Sequence, residues 1–200
     1  MNPMKSLAAL GAATVLMGST AIAAPAGATE TNVQDELAKD GGTIEMVVAG
    51  ESKTFEISSS KNETQKKVPV PYCGYKGSSQ AHVKTYTRAG LKDLGGHTAY
   101  LRCGSYGKDG WGLRHIGERH KSDWASKAGG KDWFAMMEFA TKATLKHPQS
   151  AIRQANDTHN YCAPVQLKYN GKTYDTFKTT VPVTHVGKNV ITSAPVKKCK

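Results

Sequence analysis

The sequence predicts an α+β domain in which helices are followed by a twisted antiparallel β-sheet and two disulfides link the chain. Three observations predict it. Apolar residues recur at helical spacing between positions 112 and 146, and they alternate with polar residues between positions 162 and 195. Four cysteines, an even number, stand in a chain that begins like an exported protein. A run of helices followed by a run of strands is typical of the α+β class.

The first 28 residues have the pattern of a secretory signal peptide. Lys5 precedes a mostly apolar run from Leu7 to Ala24, and Ala26-Gly27-Ala28 matches the small residues of a leader-peptidase site. No later stretch approaches the roughly 20 apolar residues that a transmembrane helix needs. We therefore expect a secreted, extracellular protein with no transmembrane segment, and we expect a monomer.

Charge divides the rest of the chain into two segments. Residues 29–67 hold five lysines and eight acids, a charge of −3, whereas residues 68–200 hold 21 Lys and Arg and eight acids, a charge of +13. We interpret residues 29–67 as an acidic leader, linker or propeptide with a hairpin over 43–57, and residues 68–200 as the basic, catalytic-type domain. A positive surplus attracts polyanions. Nucleic acid and anionic cell-wall polymer both qualify, although charge can also serve solubility alone.

Glycine and proline positions, together with hydrophobic periodicity, predict the first strands and helices of the basic segment. Two β-rich runs over 81–88 and 97–103, separated by glycines, predict a hairpin. Residues 104–110 are expected to form a loop. Helical spacing predicts helices near 112–120 and over 131–146, and the second should end before a proline with its apolar stripe in the core.

The last elements are predicted in the same way. A short third helix is expected over 149–156. Period-two alternation predicts strands over 162–169, 174–183 and 188–195. Asn170-Gly171 is the strongest hairpin signal, because both residues tolerate the positive φ of a type I′ turn.

The four cysteines indicate two disulfides rather than a metal site, because no close C-x-x-C pair is present. Three pairings are possible for four cysteines. The pairing of Cys73 with Cys103 and of Cys162 with Cys199 would link one local half of the domain each. No metal or other cofactor is expected.

Residues 111–120, WGLRHIGERH, concentrate groups suited to proton transfer beside a phosphate. Histidine changes charge near neutral pH, and arginine matches phosphate oxygens. In a continuous helix His115 and His120 would diverge by about 140°, with His115 beside Arg119 and His120 on the apolar face. This geometry favours His115 as the catalytic histidine. A helix that ends or bends at Gly117 would instead let both rings converge.

The last strand places two hydroxyls on opposite faces, since side chains alternate along a strand and Thr192 precedes Ser193. One hydroxyl is a candidate ligand contact, and an ordinary strand is the alternative. His185 and Lys188 flank the preceding turn and are expected at the same edge.

Two short motifs resemble a known family. Arg114-His115-Ile116 with Arg119-His120, followed at the end of the chain by residues 190–195, VITSAP, resemble the toxin nucleases grouped with barnase, EndoU, colicin ribonucleases and RelE. In that family, helices carrying histidine precede a twisted antiparallel sheet, and the final strand often ends in a valine or isoleucine, threonine, small residue, tyrosine, proline pattern. The resemblance covers roughly Gly110 to Val196, and Ala194 replaces the usual aromatic residue.

The resemblance implies a metal-independent ribonuclease, in which the ribose 2′-hydroxyl attacks the adjacent phosphate and leaves a 2′,3′-cyclic phosphate. Its partners would be RNA and an acidic immunity or inhibitor protein. The catalytic residues implied are His115, His120 and Thr192. The phosphate contacts implied are Arg114 and Arg119. Ser193, His185 and Lys188 are added as phosphate or RNA contacts from their positions on the last strand and beside the preceding turn.

Two alternatives remain open at this stage. A non-enzymatic cationic module would bind anionic wall polymer or a membrane surface through the same lysines, without proton transfer. A disulfide-linked inhibitor of a secreted protease would present an exposed loop, for which residues 104–110 are the candidate.

Overall fold

The computed structural model of this 200-residue chain combines helices with antiparallel sheet, and strands predominate. It describes residues 42–57, 73–74, 76–91, 96–129 and 132–199. The strands are β1 Gly42–Val48, β2 Glu51–Ile57, β3 His82–Thr87, β4 Thr98–Arg102, β5 Ser150–Gln154, β6 Thr158–Tyr169, β7 Lys172–Thr184 and β8 Ala194–Val196. The helices are α1 Gly112–Arg119, α2 Lys121–Lys127 and α3 Trp133–Lys146. The predicted signal peptide, residues 1–28, lies outside the described residues. Within those residues no helix has the length and apolar character to cross a membrane.

The main sheet is built around the long β6–β7 hairpin. Its order is β2-β1-β6-β7-β8, with β5 pairing β6, and every pairing is antiparallel. Asn170 and Gly171 connect β6 to β7 with φ values of 50° and 77°, which confirms the predicted turn. A separate two-stranded sheet pairs β3 with β4 and confirms the predicted hairpin there.

The hairpin of the acidic segment belongs to the main sheet. β1 pairs with β6 over Ile44–Val48, and the side chains of Ile44, Met46 and Val48 are buried. Residues 42–57 are therefore part of the sheet that the basic segment forms, which corrects their assignment to a separate leader. The rest of the predicted boundary falls in residues 58–72, outside the described residues.

Helix α3 confirms the predicted 131–146 helix and supplies the centre of the core. Its cap is Asp132, whose carboxylate accepts a hydrogen bond from the Ala135 N–H at 3.1 Å. Met136, Met137 and Ala140 are buried where the helix packs against β1, β6 and β7. The sheet offers them the inward side of β6, where alternate residues are apolar.

Two elements differ from the sequence prediction. The third helix predicted over 149–156 is wrong: residues 150–154 form β5, whose partner is the β6 segment from Thr158 to Cys162. Backbone pairing with an adjacent sheet edge outweighs the weak local preference of this short segment. Residues 121–127 form the unpredicted helix α2. The order of helices before sheet holds only in part, because β1 to β4 precede α1.

Both disulfides form in the predicted pairing. Cys73 bonds to Cys103 across 30 residues, and Cys162 bonds to Cys199 across 37 residues. The first lies beside α1, and the second joins β6 to the chain after β8. The two bonds therefore constrain different parts of the domain.

Candidate functional site

Helix α1 begins at a glycine that no other residue can replace without strain. Gly112 has a φ of +74°, and a Cβ there would lie 2.6 Å from the Arg102 carbonyl oxygen. The Gly112 N–H donates to the Ile191 carbonyl at 2.8 Å. The chain thus starts α1 in contact with both β4 and the segment that leads to β8.

The two helix histidines converge. Helix α1 runs through Gly117 and ends at Arg119, where His120 leaves the helix with a φ of −128° before α2 starts. The rings of His115 and His120 lie 5.7 Å apart between centroids, edge to face at 71°. The predicted divergence is therefore wrong, because it required a helix continuing through His120. The convergent alternative is observed, with the break at His120 instead of Gly117.

The His120 ring is held by a carboxylate. Its Nδ1 lies 3.0 Å from Oδ2 of Asp123, and its side chain is 24% exposed. A carboxylate accepts the Nδ1 hydrogen, which leaves Nε2 as the nitrogen that can take a proton. This arrangement orients an imidazole for general acid or base work.

The His115 ring is held by the backbone. Its Nδ1 lies 3.0 Å from the Gly107 carbonyl oxygen, and the residue is 8% exposed. A carbonyl only accepts, so Nδ1 carries the hydrogen and Nε2 is again the remaining nitrogen. Neither Nε2 has a hydrogen-bond partner in the described part of the chain. His120 is the more accessible residue of the two, although the sequence favoured His115 as the catalytic histidine.

The loop of residues 104–110 is tied to α1 at Gly107. The Gly107 N–H donates to Oε2 of Glu118 at 2.6 Å, while its carbonyl contacts His115. Glu118 and His115 therefore hold the two peptide groups that flank the Gly107 Cα. This fixes the His115 ring relative to the loop.

Arg114 has a structural role, which corrects its assignment as a phosphate contact. Its two terminal nitrogens donate to the carbonyl oxygens of Gly104, Gly74 and Gly77 at 2.8, 2.5 and 2.7 Å. The residue is 8% exposed, and with the bond from Nε to the Cys73 carbonyl four of its five N–H donors are used within the protein. Arg119 differs, since it is exposed and has no hydrogen bond or ion pair among the described residues.

A cavity of about 540 Å³ lies beside α1. Leu113 and Trp133 give it apolar walls, and Glu118 stands at its edge. Its volume falls in the range of small-molecule pockets, about 300–1,000 Å³. Neither histidine lines it, but Glu118 connects it to His115 through the shared contact with Gly107.

The terminal segment separates the two predicted hydroxyls. Ser193 is fully buried, and its hydroxyl accepts from Thr141 at 2.8 Å, so its assignment as a phosphate contact is wrong. The Ser193 carbonyl accepts from Trp124 Nε1 at 3.0 Å. Thr192 is half-buried, and its Oγ1 has no hydrogen-bond partner among the described residues. Thr192 thus lies between Ile191, whose carbonyl is hydrogen-bonded to α1, and Ser193, whose carbonyl is hydrogen-bonded to α2.

His185 and Lys188 belong to a different group of residues. The His185 ring lies 5.2 Å from the ring of His159, and the Lys188 carbonyl accepts from the Tyr100 N–H. His185 thus contacts β6 and Lys188 contacts β4, whereas the helix histidines contact each other. His185 and Lys188 precede Thr192 in the same connecting segment, as the sequence shows. The His185 ring, however, contacts His159.

The sequence did not predict Asp123 beside the helix histidines, and it did not predict Arg88 and His159 beside His185. Asp123 was detectable, since it follows His120 by three positions, but the break between α1 and α2 was not predicted. Arg88 and His159 carried no local signal, because His159 reaches His185 through the pairing of β6 with β7 and Arg88 follows β3 of the other sheet. Within the described residues, no group of three or more His, Cys, Asp or Glu side chains is arranged to hold a metal ion.

The chain matches no protein-family model, no curated protein and no solved structure.

His159 is buried in a positively charged setting. Burial lowers its pKa most, and the positive charges of His185, Arg88 and Arg153 lower it further, while Asp157 opposes them. The folded protein therefore binds a proton at His159 less readily than the unfolded chain does.

Acid is expected to destabilise the fold through His159. Above the unfolded-state pKa of about 6.5 the ring is neutral in both states, so its contribution is constant. As the pH falls below that value the unfolded chain takes up the proton first, and the free energy of unfolding decreases. Urea unfolding near neutral pH and at about pH 5.5 measures the decrease. His159→Gln should reduce it, while His82→Gln on exposed β3 should not; an equal decrease in all three proteins would contradict this assignment.

Proposed function

We propose that this protein is a secreted, metal-independent endoribonuclease of the toxin type. The observation that carries the proposal is the convergence of His115 and His120, with each Nδ1 hydrogen occupied and each Nε2 left for a substrate. RNA cleavage through the 2′-hydroxyl needs a base at that hydroxyl, an acid at the leaving oxygen, and donors for the phosphate. Two imidazoles with rings 5.7 Å apart suit the first two needs.

His120 and His115 are the acid/base pair in this proposal, and Asp123 is a positioning residue. Asp123 fixes the His120 tautomer and stabilises the ring when it is protonated. The Gly107 carbonyl fixes the tautomer of His115 in the same way. Each acid or base contributes roughly 10²- to 10⁴-fold to the rate.

The phosphate is contacted by Arg119 and by the hydroxyl of Thr192. Arg119 is exposed one position before His120, and its guanidinium has no partner among the described residues. The Thr192 hydroxyl is shielded from water and unpaired there, so a substrate oxygen would give it a hydrogen bond. The cavity beside α1 is the candidate place for a nucleotide base.

The whole-chain properties support the same proposal. The formal net charge of +11 favours encounter with a polyanion. Two disulfides are consistent with an extracellular protein. A producing cell would need an acidic immunity or inhibitor protein as the partner of such an enzyme.

Incubation of the full chain, with both disulfides formed, with total RNA in EDTA tests the proposal. Residues 42–57 must be retained, because β1 completes the main sheet. We expect fragments that end in 2′,3′-cyclic phosphate, and no cleavage of DNA of the same sequence, since DNA lacks the attacking 2′-hydroxyl. Salt-sensitive RNA binding without cleavage would overturn the proposal in favour of the cationic binding module.

A further inference from the structure

Arg88 is a buried cation without a buried counter-charge among the described residues. The residue is 1% exposed, and the one hydrogen bond of its side chain to a described residue runs from Nε to the Gly96 carbonyl at 3.2 Å. Nη1 and Nη2 are both shielded from solvent and have no hydrogen-bond partner. Arginine stays protonated in proteins, so the charge cannot be removed by loss of a proton.

The side chains around Arg88 are neutral or positive. His159 and Tyr161 are buried, and Nδ1 of His159 and the Tyr161 hydroxyl have no hydrogen-bond partner. Burial raises the pKa of Tyr161, and the charge and donor nitrogens of the neighbouring Arg88 oppose that rise, although the guanidinium and the hydroxyl do not meet hydrogen-bond geometry. The Nδ1 of His185, whose ring contacts His159, is also shielded and unpaired. This buried polar cluster consists of Arg88, His159, Tyr161 and His185.

No carboxylate compensates the cluster within the described residues. The nearby acid is Asp157, and its carboxylate pairs with Arg153 at 2.9 Å. A buried charge is tolerated when it is paired and hydrogen-bonded, and is strongly destabilising otherwise. The cluster therefore presents several unused donors around a fixed positive charge, and an anion from outside the chain would satisfy them.

We propose that the buried polar cluster is a binding site for a phosphoryl oxyanion. The guanidinium presents two terminal nitrogens in the planar geometry that matches phosphate oxygens. The Tyr161 hydroxyl and the Nδ1–H of the neutral His159 ring supply further donors. Lys188 stands at the rim, since its Nζ lies 2.8 Å from where a Cβ on Gly96 would be, and the Gly96 carbonyl accepts from Arg88.

Thermal unfolding of the full, oxidised chain in chloride-free buffer tests this site with inorganic phosphate as the probe. At about one hundred times the dissociation constant we expect the melting temperature to rise by roughly 5–10 °C. Arg88→Met should abolish the rise, and Tyr161→Phe should reduce it, since that change removes only an unpaired hydroxyl. Arg102→Met is the matched control. Its guanidinium already bonds to Asn189 and Gln80, so the rise should persist.

Calorimetric titration of the unmodified protein gives a second readout that does not depend on a variant that folds. Inorganic phosphate should bind at one saturable site, and Arg88→Met should weaken binding by about tenfold or more. A parallel titration with uridine 3′-monophosphate distinguishes a free ion from a nucleotide phosphate as the source, and Arg88-dependent binding of either supports the site. An equal temperature rise in Arg88→Met, or no saturable binding to the unmodified protein, would overturn it. RNA cleavage is not the readout, so the result is independent of the proposed ribonuclease activity.

Discussion

Replacement of His120 by glutamine is expected to lower kcat/KM for RNA cleavage roughly 10²- to 10⁴-fold, the loss typical of a general acid or base. The His120 side chain is 24% exposed and bonds to Asp123, so the free energy of unfolding should decrease by about 1 kcal/mol, small beside the kinetic effect. The combination of a large kinetic effect with a small stability effect separates a catalytic role from a structural one. Initial rates on a defined RNA and urea unfolding measure the two quantities.

Two further variants make this test specific. His82→Gln removes a histidine from exposed β3 and should leave the rate unchanged. Asp123→Asn should give a smaller decrease in kcat than His120→Gln, because it disturbs the orientation of the ring without removing it. A His120→Gln enzyme within twofold of the unmodified rate would place the chemistry elsewhere in the protein.

Removal of both disulfides is expected to lower the free energy of unfolding by roughly 7 kcal/mol. Closing loops of 30 and 37 residues gives about 3.5–4 kcal/mol for each bond in the chain-entropy treatment. The total is comparable with the whole stability of an ordinary domain, about 5–15 kcal/mol. We therefore expect the reduced chain to be largely unfolded at 37 °C, as measured by urea unfolding with and without reductant.

The two bonds are expected to differ in their effect on activity. The Cys103 carbonyl accepts from the Arg114 N–H at 2.9 Å, and Arg114 also holds the backbone of Gly74, so the first disulfide is joined to the helix that carries His115. Cys73→Ala with Cys103→Ala should lower kcat even at temperatures where the variant is folded.

The second disulfide supplies the matched control. Cys162→Ala with Cys199→Ala should lower stability by a similar amount while kcat is retained, because that bond joins β6 to the chain end. Full activity in both double variants, or in protein refolded under reducing conditions, would contradict the dependence of the site on the first disulfide.

Local signals in the sequence were sufficient for the elements that local chemistry determines. Asn170-Gly171 fixed the β6–β7 turn through its positive φ values, and the spacing of Met136, Met137 and Ala140 fixed the buried side of α3. The count of cysteines indicated two disulfides but left three pairings open, and the structure selects the pairing of neighbours along the chain.

The sequence did not predict the features that depend on pairing between strands distant in the chain. The segment of β5 is a strand because β6 offers it an open edge, and β1 joins the main sheet because its alternation matches that of β6. Neither partner is visible within a short window of sequence. The same holds for Arg88 and His159, which lie 71 positions apart in the chain.

The candidate site was predicted in part. The presence of His115 and His120 near each other in sequence was informative, but their relative direction depended on where α1 ends. Arg114 and Ser193 were assigned to the ligand from residue type alone, and the structure uses them for backbone and core contacts. A polar residue in a motif can serve the fold as readily as a substrate, and only its hydrogen bonds distinguish the two.

The pH dependence of RNA cleavage by the unmodified protein, His115→Gln and His120→Gln tests the paired-histidine account most directly. We predict a bell-shaped profile of kcat/KM for the unmodified protein, with a different limb lost in each variant, because one ring acts as base and the other as acid. A profile with the same shape in all three proteins would contradict the account.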